Sequence, residues 1–195
     1  MAMARRKYEF QPDRPKTSLL DKIYLTKKQR LSLLRWTLHS FVVLVLSLLQ
    51  DVILCRMSIF GATTDLVPGA IFTLCILLGS DRGCVFALVA GALFQFSGVG
   101  PGYHVIALIP FIAIGISMLE QSMLRKNAIA DLLTTALAIM LYELIIFGIS
   151  VVIGETAMFR LISAVATGVM TVACSILLYP IFTAIEKIGG TPWNA

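Results

Sequence analysis

Six apolar runs cut by short polar turns set the plan of this chain. The first follows Trp36 and reaches about Leu54. The others span roughly Leu66 to Leu78, Gly83 to Phe96, Tyr103 to Leu119, Leu132 to Ile153 and Leu161 to Ile185. Spanning a hydrocarbon layer of about 30 Å takes about 20 apolar residues in helix, so the pattern predicts an all-α membrane protein, a six-transmembrane-helix bundle. The second and third runs are short for a full crossing, and a re-entrant hairpin over 66–96 stays open beside two spans. Thr26-Lys27-Lys28-Gln29 has capping-box form and is expected to start the first helix. Pro68 fits a first-turn proline, Gly98 to Gly102 is a turn that cannot be helical, and Pro110 is expected to kink the fourth helix. Polar turns are expected at Ser80-Asp81-Arg82-Gly83, from Glu120 to Asp131, and at Gly154-Glu155-Thr156.

Charge orients the bundle. Of sixteen Lys and Arg, ten lie in the first 35 residues, against three acids there, Glu9, Asp13 and Asp21. With six crossings both termini share one side, and Arg82, Arg125, Lys126 and Lys187 join the tail, leaving only Arg56 and Arg160 opposite. Positive charge gathers on the cytoplasmic side, so both termini are expected in the cytoplasm. The organisation is then a basic cytoplasmic N-terminal segment, 1–35, a transmembrane domain, 36–188, and a short cytoplasmic tail, 189–195. A basic segment just before a spanning helix is expected to rest on anionic lipid of the bilayer, with no nucleic acid as partner.

Composition agrees. The chain is 58% hydrophobic and 14% charged with a mean hydropathy of +0.89, against about 25% charged residues in soluble domains. Cys55, Cys75, Cys84 and Cys174 form no Cys-x-x-Cys pair, so neither a disulfide framework nor a zinc site is indicated. The first apolar run starts late, is long and lacks a small-residue cleavage site, so it is expected to be a spanning helix rather than a signal peptide.

Lipid supplies no hydrophobic force between helices, so close packing relies on small residues at helical spacing. Gly83, Ala87 and Gly91 repeat every four residues in the third run, and Ala164 and Gly168 in the sixth. Ser163, Thr167, Thr171 and Ser175 add a hydroxyl stripe. Each face suits internal packing or a partner: a second protein or a second copy of the chain. Glu143 lies in the middle of the fifth run, where an ionisable group costs about 2.5–3.5 kcal/mol on insertion scales. It is expected either to couple to a ligand or partner, or to bond a Ser or Thr of the sixth helix. Gln50 and Asp51 mark where the first helix leaves the membrane, or else form intramembrane polar contacts. Asp65 is placed to cap the second helix, and Asp131 the fifth. No phosphate loop, nucleophile elbow or paired metal-ligand spacing occurs, and His39 and His104 stand alone. No catalysis, metal or cofactor is expected.

The stretch from Leu49 to Ser97 resembles the MreD family, integral membrane proteins of the bacterial rod-shape system. It carries Leu49-Gln50 at the end of the first helix and Ile59-Phe60-Gly61 in the loop. Thr64-Asp65-Leu66 follows, where the family has Pro-Asp-Leu, then a tight turn with Gly83 and a helix with Gly91. Gln95 stands where the family often has an acid. The resemblance implies a non-enzymatic scaffold of the cell-shape (elongation) machinery in the bacterial plasma membrane. It would bind an MreC-like single-pass partner, and act through it with MreB filaments and wall-synthesis enzymes to direct lateral peptidoglycan synthesis. The alternative is the substrate-binding subunit of an energy-coupling-factor vitamin transporter, also a six-helix bundle. Its docking helices carry small residues spaced as at Gly83, Ala87 and Gly91.

Overall fold

The computed structural model describes residues 27–56, 62–98, 100–123 and 127–188. Its regular structure is helical, in six α-helices: α1 Lys27–Val52, α2 Leu66–Leu78, α3 Ser80–Phe96, α4 Val105–Met123, α5 Ala128–Ile153 and α6 Leu161–Glu186. Short 3-10 turns, Leu54–Arg56 and Met158–Arg160, follow α1 and precede α6. Among the described residues, three helical stretches are long and apolar enough to cross a membrane: Gln29–Val52, Ala128–Ile153 and Met158–Glu186. The chain is therefore an all-α membrane protein. Thr26, expected to open the capping box, and the tail from 189 lie outside the described residues.

The shortest helix is the centre. α2 packs against all five other helices, and every residue from Leu66 to Ile76 is buried. At about 1.5 Å per residue its 13 residues reach only about 20 Å. A helix enclosed by protein on every side needs no polar face, which is why its run reads as apolar throughout. Phe72 meets Tyr142 of α5 edge-on, ring centroids 5.8 Å apart.

Two turns are tighter than the sequence suggests. Ser80-Asp81-Arg82-Gly83 is the first turn of α3, not a loop. Gly79 alone reverses the chain, at φ +80°, a left-handed value that glycine adopts without a Cβ penalty. Asp81 then sits in the first turn of α3, where the helix dipole favours an acid. The expected loop from Glu120 to Asp131 also shrinks. α4 runs on to Met123 and α5 starts at Ala128, because nothing from Glu120 to Met123 breaks a helix. Asp131 lies inside the first turn of α5 and takes no part in capping; Asn127 holds the cap position. Pro110 and Pro180 are accommodated within α4 and α6.

Gly83 is where α3 touches α2. A Cβ there would lie 2.7 Å from the Cys75 carbonyl oxygen and 2.8 Å from its Cα, both backbone atoms that cannot swing away. At Gly91 the nearest atoms, on Ile109, are an ordinary 3.5 Å off. Gly83→Ala is therefore expected to cost about 1–3 kcal/mol through overpacking. Gly91→Ala should be neutral, or stabilising by up to about 1 kcal/mol from helix propensity. Thermal unfolding of the two detergent-solubilised variants checks the contrast, and equal shifts would contradict it.

Candidate functional site

The first turn of a helix leaves backbone N–H groups without partners, and inside an apolar bundle each must find one. At the start of α2, two neighbouring helices supply them. The Val67 N–H donates to Gln50 Oε1 of α1 at 2.8 Å, and the Asp65 N–H donates to Thr171 Oγ1 of α6 at 3.0 Å. Pro68 has no N–H to satisfy. Gln50, two residues before the end of α1, is 2% exposed and turned into the bundle. Asp51 beside it is half-buried.

This junction lies deep within the bundle. At the opposite end of α1 and α6, Arg35 and Glu186 form a 3.0 Å ion pair. Gln50 is fifteen residues from Arg35 and Thr171 fifteen from Glu186, so both stand about 22 Å away from that pair. Thr171 is in turn about 15 Å short of the far end of α6.

Two carboxyls meet at this level. Asp65 makes no side-chain cap on α2, contrary to the sequence expectation; its carboxyl is within hydrogen-bond reach of Glu143 instead. Glu143 is 6% exposed, and its partner is this acid rather than a hydroxyl of α6. The hydroxyls are occupied: Thr171 Oγ1 donates to the Thr167 carbonyl at 2.8 Å and Ser175 Oγ to the Thr171 carbonyl at 2.9 Å, the back-bonding common for Ser and Thr in helices. The Glu143 Oε1 and the Tyr142 hydroxyl, on a side chain 1% exposed, are buried with no hydrogen-bond partner among the described residues. The electrostatic surroundings of Tyr142 include both carboxyls.

The small-residue stripes build this core. Gly83, Ala87 and Gly91 are buried against α2 and α4. On α6 the stripe residues Thr167, Gly168, Thr171 and Ser175 are buried, while Ala164 and Ser163 are half-buried. A Cβ at Gly168 would meet Met140 Sδ at 2.8 Å and Glu143 Cγ at 3.5 Å. Gly69, which the sequence pattern did not mark, presses on the hydroxyl stripe, where a Cβ would lie 2.6 Å from Ser175 Oγ. Both stripes face inward. The outward faces carry bulk instead: Val85, Leu88 and Leu93 on α3, and Ile162, Val169 and Leu177 on α6.

One surface departs from this pattern. α1 leans on α2 and α6, and a groove of about 420 Å³ opens between α1 and α3. Val67 of α2 lines it, with Ser40 and Ser47 of α1 and Ala90 and Leu93 of α3. Trp36 and Phe86, ring centroids 6.0 Å apart, also line it and bridge the two helices. A second, smaller cavity of about 240 Å³ lies at the ion-pair end, lined by Glu120, Asp131 and Glu186 among others. There the Tyr179 hydroxyl donates to Asp131 Oδ2 at 2.8 Å.

Replacing Gln50 by Leu keeps the volume and strands the Val67 N–H in the core. The expected loss is about 1–3 kcal/mol, read as a lowered Tm in detergent. An unchanged Tm would mean that Gln50 does not hold the start of α2.

No protein-family model, curated protein or solved structure matches the chain.

Proposed function

We propose that the chain is a non-enzymatic scaffold of the bacterial plasma membrane that crosses it six times with both termini in the cytoplasm. In this reading it holds the transmembrane helix of an MreC-like single-pass protein and so takes part, with MreB and wall-synthesis enzymes, in placing lateral peptidoglycan synthesis. The observation that carries the reading is the groove between α1 and α3. It is apolar and open, and Ser40, Ser47 and Ala90 on its walls let a helix backbone approach closely. The buried residues of the α3 and α6 stripes are taken up by packing within the chain. The resemblance to MreD supplies the identity of the partner, and the distribution of Lys and Arg supplies the orientation.

A photo-crosslinking residue at Leu93 or Ser47, in the groove, is expected to capture the MreC-like protein in cells. The same residue at Leu177, on the outer face of α6, is expected to capture none. Capture from Leu177 alone would move the interface away from the groove. Co-purification of paired ATPases with a coupling subunit would replace the scaffold with the transporter reading. Ala90→Trp, which fills the groove, should reduce co-purification at least tenfold while leaving membrane insertion intact.

A further inference from the structure

We propose that Asp65, Glu143 and Tyr142 together form a binding site for a hard, oxygen-seeking metal cation inside the bundle. Two carboxyls in contact are held where an isolated charge is costly. The positive end of α2 offsets part of this, but a helix start is worth roughly half an elementary charge, less than two carboxylates carry. Among the described residues, no Lys or Arg contributes to the surroundings of either carboxyl. The nearest ion-paired cation along α1, Arg35, sits fifteen residues from Gln50 and is engaged by Glu186.

A single proton shared between the carboxyls would balance one of the two charges. It would leave Glu143 Oε1 and the Tyr142 hydroxyl, both deeply buried, without partners among the described residues. A cation uses them all, since it draws several oxygen ligands at once and an all-oxygen set suits hard ions such as Na⁺ or Ca²⁺. The site can be reached: Asp65 is half-buried and Thr63 beside it is exposed. Phe72 fixes the Tyr142 ring by edge-on contact, and Gly168 lets Glu143 pack directly on α6. These are the features of a prepared seat.

Thermal unfolding of the full chain in detergent, at constant ionic strength, tests the proposal. NaCl or CaCl₂ is titrated in place of choline chloride. One of the two metals is expected to raise Tm saturably, by about 5 °C or more at a hundredfold excess over its Kd. The rise should vanish in Glu143→Gln and in Asp65→Asn, and need higher metal concentration in Tyr142→Phe. In choline alone, Glu143→Gln should be at least as stable as the parent, because it removes one of two adjoining carboxyls. Identical Tm in all three salts would overturn the proposal, as would a metal-dependent rise that persists in Glu143→Gln. Should the variants fail to fold, infrared difference spectra of the parent decide. Loss of a protonated-carboxyl stretch on adding either metal supports the site, and a band unchanged by both metals overturns it.

Discussion

A helix that begins inside an apolar bundle has no water to satisfy its first N–H groups, and this constraint shapes the whole molecule. α2 begins at Leu66, deep among the other helices. Gln50 must therefore end α1 facing inward, and Thr171 must stand on the inner face of α6. Gly69 must lack a side chain so that the hydroxyl stripe can close on it. Each unsatisfied backbone group in such a setting costs several kcal/mol. Polar residues in this region are structural necessities before they are anything else, and what exceeds that need is the carboxyl pair of Asp65 and Glu143.

The helices themselves were legible in the sequence because each is a long apolar run bounded by turn residues, and α2, α5 and α6 begin or end close to where those runs do. The starts of α3 and α5 were not, because polar residues such as Ser80, Asp81 and Asp131 read as loop although a first helical turn suits them. The site was harder still. Glu143 announced itself by its charge in an apolar run, but its partner Asp65 lies 78 positions away in sequence and looked like a local cap. Gln50 gave no sign in the sequence of the Val67 N–H it accepts from. Pairing across helices leaves no periodic trace in one sequence, and only the packing of α2 against α1, α5 and α6 brings these three residues to one level.

The same packing separates two uses of small residues. In α3 and α6 they let helices of this chain approach one another, as Gly83 against Cys75 and Gly168 against Met140 show. In the α1/α3 groove, Ser40, Ser47 and Ala90 are small, with no helix among the described residues seated over them. The buried polar centre fixes the interior while the groove leaves one flank open, and Val67, which donates to Gln50 and also lines the groove, joins them.

Hydrogen–deuterium exchange at the start of α2, measured on the protein in lipid nanodiscs, tests this account most directly. The amides of Asp65 and Val67 should exchange as slowly as those in the middle of α5, and Gln50→Leu should speed exchange at Val67 while leaving α5 unchanged. Rapid exchange at both amides in the parent protein would place the start of α2 in water and remove the constraint on which the account rests.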